Sequence, residues 1–355
     1  MHVIFTGGTI GSLSAGNNIN TNSQSHRMLI DMYNEMQKSN CKDTSKFKER
    51  EFIILEPINI LSENAVLDDV ILIAKSILKA NEEQVNDTNL KDKGIIVTHG
   101  SDTLAYSSCL LALLISNLIK VPVVMVASNL ILTNPDANGV YNFTAAVDLC
   151  LNKSEKIKPA VYVAYKNPED DFTSIHLATR MDIPGHMSDS FYSPQGFRFA
   201  KYKNGSFEFE NTNFEITNYK FNFNLDGKKA KGLFIEPMTG LDYSTYDNIH
   251  CDFVLHNLYH SGTANTNNDK KYENNNLLIF AKNLNQRKIP LYLCNIKKKD
   301  INYDSTNQLL KNGIQMIYDT LANVAYSKLE IAYSLLNVDE RERFLNNNIA
   351  GEYLK

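Results

Sequence analysis

Across the first two hundred residues, short apolar, β-branched runs alternate with longer stretches whose apolar positions recur every three or four residues. The runs 2–5, 52–55, 94–98, 121–127 and 160–164 predict buried strands, and 28–37, 67–80, 104–119 and 143–151 predict helices between them. Strands alternating with helices imply right-handed crossovers around a mostly parallel sheet. The helix from Asp102 to Ile119 reads most clearly. Leu104, Leu111, Leu114 and Ile115 share helical spacing, and Ser101, Asp102 and Thr103 offer capping oxygens before them.

From 201 to 230 the pattern turns to alternating aromatic and polar positions, with Asn204-Gly205 and Asp226-Gly227 as turn dipeptides, so a linker with hairpin character is expected. Beyond it, strand-like runs at 232–236, 253–259, 276–280, 290–295 and 313–316 alternate with helical segments, ending in 321–336 and 339–346. At 355 residues the chain exceeds the size at which one core stops growing. The expected fold class is α/β, with a larger N-terminal domain over 1–200 built on a doubly wound, mostly parallel sheet. A smaller C-terminal α/β domain over 231–355 follows the linker.

Composition narrows the function classes. With 43% apolar and 21% charged residues the chain reads as an ordinary globular protein. A net charge of -4, with only short Lys-rich patches at 228–231 and 297–299, gives no phosphate-tracking stripe and no reason to expect nucleic acid as a partner. No apolar stretch is long enough to span a membrane, and no signal-peptide texture follows Met1. The five cysteines lack CxxC spacing and fit a reducing compartment, so a cytoplasmic location is expected. The Asn-rich stretches 17–22 and 265–268 read as mobile loops.

Two strand ends carry the chemistry. Val3-Ile4-Phe5 breaks into Thr6-Gly7-Gly8-Thr9-Ile10-Gly11, where paired glycines let the backbone turn sharply and leave main-chain N–H groups facing a ligand. By itself this is a tight turn; as a phosphate cradle it lacks the P-loop Lys and the dinucleotide spacing. Gly94-Ile95-Ile96-Val97 breaks into Thr98-His99-Gly100-Ser101-Asp102-Thr103. An Asp at a helix start is first a cap, but hydroxyls beside a carboxylate can hold a polar substrate or pass a proton. His99 reads as a hydrogen bonder that fixes the loop.

Together the two segments resemble the signatures of the bacterial-type L-asparaginases, and Thr98–Ser107 is most similar to the cytosolic type. Leu61-Ser62-Glu63-Asn64 with Asp68-Asp69, Val121-Pro122-Val123-Val124, the segments 136–142, 259–263 and 303–309, and 321–336 extend the resemblance over nearly the whole chain. It implies hydrolysis of a side-chain amide by a Thr nucleophile through an acyl-enzyme, without a metal or organic cofactor, in a homodimer or homotetramer whose sites a neighbouring subunit completes. Thr9 takes the place of the nucleophile; Ser101 and Asp102 take those of the second hydroxyl and the acid. Ser62 would bind the substrate's α-carboxylate and Asp102 its α-ammonium, with Gly8, Glu63 and Gly100 lining the same place.

Three departures stand against this pattern. The family's catalytic Lys precedes a Ser-Pro pair that Ser193-Pro194 resembles, but residues 177–185 contain no Lys. Arg180 lies near that place, Asp182 falls on it without a gap, and Lys166 is the nearby Lys that could substitute. An Arg stays protonated and cannot act as the acceptor. The segment 12–26 lacks the family's lid Tyr and offers the hydroxyls of Ser12, Ser14, Thr21 and Ser23 instead, and Glu63 stands where the family has Gln or Ser. A catalytically impaired protein that senses a small amino acid is therefore the alternative. A third reading, the related subunit of a tRNA-dependent amidotransferase, finds no support in the acidic balance. Elsewhere, His256 and His260 lack the helical setting of a zinc motif, Lys328 is expected to snorkel to solvent, and 339–343 reads as a solvated helix face.

Overall fold

The computed structural model describes residues 1–15, 18–21, 25–90, 92–298 and 303–354. They form two compact units, Met1–Asn218 with Ile349–Gly351, and Tyr219–Asn348 with Glu352–Lys355. In the first unit the chain runs through β1 (His2–Phe5), β2 (Ser12–Ala15), β3 (Asn18–Thr21), α1 (Ser25–Ser39), β4 (Ile53–Leu55), α2 (Leu67–Asn86) and β5 (Ile95–Thr98). It continues through α3 (Leu104–Ile115), β6 (Val123–Val126), α4 (Gly139–Leu151), β7 (Val161–Tyr165), β8 (Thr173–Leu177), β9 (Ala200–Lys203) and β10 (Ser206–Phe209). Eight strands form one sheet in the order β10-β9-β8-β7-β6-β5-β1-β4. The five from β4 to β7 are parallel, and β8, β9 and β10 extend the sheet antiparallel.

The parallel strands β1, β5, β6 and β7 are buried along their whole length, which is why they read as unbroken apolar runs. Because β1 pairs with β4 on one side and β5 on the other, the strand order reverses between β1 and β5. Ligand crevices in open α/β sheets form at such a switch point, beyond the carboxyl ends of the strands.

Not every crossover has the expected hand. Val3, Ile96, Val124 and Tyr162, which lie in register on one face, share a core with Leu29 and Tyr33 of α1 and Phe143 and Val147 of α4. Meanwhile α2 packs on α3, and both have no member in that core. The chain crosses the sheet in one direction through α3 and again through α4, yet the two helices cover opposite faces, so their crossovers are of opposite hand. One of them is left-handed, against a strong general preference.

The hairpin expected at Asn204-Gly205 forms between β9 and β10, with φ of 48° and 77° at the two turn residues. Among the described residues no strand lies between 210 and 231, and Asp226-Gly227 is a turn without a hairpin. β2 pairs antiparallel with β3, whose residues Asn18–Thr21 fall in the stretch 17–22 read as a mobile loop.

The second unit holds β11 (Gly232–Ile235), β12 (Phe253–Asn257), α5 (Leu277–Gln286), β13 (Leu291–Ile296), α6 (Asp304–Lys311), β14 (Gln315–Tyr318), α7 (Ala322–Leu335) and α8 (Val338–Asn346). Its four strands form a parallel sheet in chain order. Residues 276–280, expected as a strand, open α5 instead. Asn276 Oδ1 accepts from the amides of Leu278 and Ile279 at 2.8 and 3.4 Å, and Leu277, Phe280 and Leu284 bury one face at helical spacing. The expectation for Lys328 is also corrected: it is 1% exposed, and its ammonium donates to Glu352 Oε1 at 2.8 Å and to Asn347 O at 2.7 Å. With that carboxylate within reach, Lys328 has no need to seek water. Of the Lys-rich patch at 297–299, Lys299 lies outside the described residues, as do Asn17, Asn22 and Ser23.

Candidate active site

Thr6 is the first residue past β1, and its hydroxyl is fully engaged. It donates to Thr98 O at 2.7 Å and so accepts from His99 Nδ1 at 3.0 Å. Thr103 Oγ1 donates to Ser62 O at 3.0 Å, which leaves Ser107 Oγ, 2.9 Å away, to donate to His99 Nε2. These contacts fix the Nδ1–H tautomer. Burial alone holds the His99 pKa down to about 4, so the ring stays neutral at pH 7. His99 ties the ends of β1 and β5 to the first turn of α3.

The glycines bring the segments into contact. Gly8 has φ +74°, and a Cβ there would run into the Gly100 backbone; a Cβ on Gly100 would run into the Ser62 side chain. The turn is pinned from outside by Gly8 N donating to Ile60 O and Ile60 N donating to Thr6 O, each at 3.0 Å. Residues 8, 62 and 100 therefore meet at the switch point; Thr9, Glu63 and Ser101 are their immediate neighbours in the chain, and Asp102 follows Ser101. Thr9 opens a short 3-10 turn, Thr9–Gly11, and is half-buried, like Ser101; Ser62 is buried, and Glu63 and Asp102 are exposed. The Thr9 and Ser101 hydroxyls and the Asp102 carboxylate have no hydrogen-bond partner among the described residues.

The cations are placed otherwise. Arg180 is buried, with Nε donating to Gly351 O at 2.7 Å and Nη1 to Asn211 Oδ1 at 3.1 Å, and its guanidinium lies over the Phe197 ring. Lys166 sits at the end of β7 with its ammonium 5.0 Å from the Tyr141 ring centroid. β5, β6 and β7 are consecutive in the sheet, so Lys166 starts two strands, roughly 10 Å, from the His99 loop. Asp182 is half-buried, and desolvation raises its carboxyl pKa against the pull of the Ile183 amide. One helical turn beyond Asp102, the Tyr106 pKa is raised first by burial and then by the charge of Asp182.

Among the described residues, no three His, Cys, Asp or Glu side chains are grouped to hold a metal ion, and no helix is long and apolar enough to cross a membrane. Sequence reasoning missed Thr6, Thr103 and Ser107 as the frame of the site. The i, i+4 spacing of Thr103 and Ser107 on one side of α3 is the signal that could have found the last two.

Residues 1–214 match the family model described as asparaginase, N-terminal. A glutamyl-tRNA(Gln) amidotransferase subunit of Methanosarcina mazei is 26% identical over 306 residues, 83% of this chain and 67% of that one. The L-asparaginase of Thermococcus kodakarensis is 29% identical over 181 residues, 50% of this chain and 46% of that relative. Among solved structures, the thermostable L-asparaginase of that organism superposes with a TM-score of 0.73 at 22% identity, over 99% of this chain and 98% of that one. L-asparaginase I of Vibrio cholerae gives 0.71 at 18% identity, over 100% and 98%. These structures share the fold. Since the family model covers more than half of its length, beginning with both Thr-rich strand ends, the chain belongs to the asparaginase family.

Proposed function

We propose that the protein hydrolyses a side-chain carboxamide, of asparagine or a related amide, to the acid and ammonia, with Thr9 as nucleophile. The Thr9 oxygen attacks the amide carbon, the C–N bond breaks with a proton passing to the leaving nitrogen, and water then releases the acid from the acyl-enzyme. Backbone N–H groups of the turn at 7–9 or the loop 98–103, other than those of Gly8 and His99, which donate to Ile60 O and Val126 O, hold the oxyanion. Ser101 and Asp102 serve as second hydroxyl and acid, Ser62 and Asp102 bind the α-carboxylate and α-ammonium, and Glu63, Gly8 and Gly100 shape the pocket.

The observation that carries this reading is the close approach of the Gly8 and Gly100 backbones and the Ser62 side chain beside two unpartnered hydroxyls. Neither candidate cation stands as a proton acceptor beside Thr9: Arg180 is held by carbonyls and stays protonated, and Lys166 lies over Tyr141. Ammonia release from asparagine, glutamine and a dipeptide panel is the test. Thr9→Ala is expected to lower kcat/KM on the order of a thousandfold or more. Equal release by wild type and Thr9→Ala would sink the proposal.

The engagement of Arg180 favours one alternative, a sensor that binds a small amino acid without turnover. A ligand at one hundred times its Kd stabilises the fold by about 2.7 kcal/mol, so a rise in Tm with aspartate or asparagine and no ammonia would select it. The relatives named as amidotransferase subunits raise another, an amidohydrolase acting within a larger transferase. A net charge of -4 gives this chain little electrostatic attraction for RNA. A homodimer or homotetramer and a reducing, cytoplasmic setting complete the proposal; the five free thiols support the latter, and light scattering tests the former.

A further inference from the structure

β7 returns directly into β8 as an antiparallel partner, with the loop 166–172 and no helix between them. Beside that loop lies a cavity of about 500 Å³, lined by Gln37 of α1 and Asn40 just past its end, Tyr141 and Asp148 of α4, Lys166, the start of β8, and the end of β9 with the turn into β10. Its acids are already engaged. Tyr202 Oη donates to Asp148, which Arg50 also faces, and Asp171 pairs with Lys203. The Lys166 ammonium has no hydrogen-bond partner among the described residues, nor do the side-chain amides of Gln37, Asn40 and Asn204. Lys166 is held in place from its backbone: its N–H donates to Asn142 Oδ1 and its carbonyl accepts from Asn138 Nδ2, each at 2.7 Å.

We propose that this groove binds a mononucleotide, with Lys166 on the phosphate, the Tyr141 ring against the base and the carboxamides of Gln37, Asn40 and Asn204 on its edge. With Asp171 paired to Lys203, and Asp148 bonded by Tyr202 and faced by Arg50, Lys166 is the lining cation with no ion pair among the described residues, and an ammonium is a compact partner for phosphate. Carboxamides present a donor and an acceptor side by side, the complement of a base edge. Tyr141 is 49% exposed, and with Lys166 turned from its ring to the phosphate a planar base can stack on it. The volume falls within the range of small-molecule sites. None of this depends on Thr9.

Isothermal titration of the full chain with AMP, GMP, CMP, UMP and inorganic phosphate tests the groove. At least one nucleotide is expected to bind about tenfold or more tighter than phosphate, and Lys166→Gln to weaken it at least about tenfold. The double variant Gln37→Ala/Asn40→Ala should weaken the nucleotide but not phosphate, while Thr9→Ala should bind as wild type does. No heat from any nucleotide at millimolar concentration overturns the proposal. So does a nucleotide no tighter than phosphate, or affinity unchanged in both groove variants.

Discussion

Gly8 and Gly100 face different obstacles, and the difference predicts their substitutions. A Cβ on Gly8 meets the Gly100 backbone at φ +74°, whereas a Cβ on Gly100 meets the Ser62 side chain. Backbone strain and overpacking combine at Gly8, so Gly8→Ala should cost about 3 kcal/mol or more. Gly100→Ala should cost about 1–3 kcal/mol and displace Ser62, raising KM. Urea unfolding of the two variants decides this, and equal stabilities would refute the distinction. Lys328 offers a test of another kind. Its partner Glu352 is fully buried, so Lys328→Met strands a carboxylate and should cost about 3–5 kcal/mol. The double variant Lys328→Met/Glu352→Leu should recover most of that loss; a double variant as unstable as the single would show that packing, not charge, is at stake.

The start of α3 shows how an element serves the site. Thr103 occupies the N-cap position but makes no side-chain cap bond; its hydroxyl goes to Ser62 O. Thr103→Val should therefore cost only about 1 kcal/mol of stability, the worth of one hydrogen bond, while loosening the Ser62 segment and raising KM more than it lowers kcat. A fall in kcat alone would contradict this. The strand ends were legible because a parallel strand buried on both faces is an unbroken apolar run, and its break into Thr, Gly and Ser stands out. Of the capping oxygens expected at Ser101, Asp102 and Thr103, none makes a side-chain cap bond, since a sequence shows that a hydroxyl is present but not which carbonyl it will reach. Other features depend on tertiary partners that no local pattern encodes. The hand of the α4 crossover is set by which face Phe143 packs on, and Lys328 is buried because Glu352, 24 residues away, meets it. In 276–280 the apolar texture fits either period, and the Asn276 cap was the signal for a helix. Arg180 read as a substitute for the Lys because charge is visible in sequence, whereas its bond to Gly351, 171 residues away, is not.

Each unit of the molecule has its own apolar core, so unfolding need not be a single transition, and buried histidines give the two units different acid sensitivity. In the first unit burial holds His99 at about 4 and His176 at about 3, the latter helped by Arg198; in the second, burial holds His256 at about 4. Each is depressed below its ordinary value of about 6.5, so the unfolded chain binds protons that the folded unit refuses. Stability contributed by the neutral ring is fully present above pH 6.5 and declines as pH falls toward the folded pKa. At pH 5 that amounts to about 2 kcal/mol per histidine, hence about 4 kcal/mol from His99 and His176 in the first unit and about 2 kcal/mol from His256 in the second. His2, lowered by burial against the pull of Glu83, adds to the loss in the first unit. Asp148 and Asp182, raised by burial, work in the opposite direction, since the folded unit takes up their protons before the unfolded chain does. Urea unfolding at pH 7.5 and pH 5 should show the first unit losing more than the second. NMR of the folded protein should show the His99, His176 and His256 rings still neutral at pH 5. If those rings titrate near 6.5 in the folded protein, or the midpoints do not move, the burial of the His99 staple at the mouth of the site is not what holds β1, β5 and α3 together.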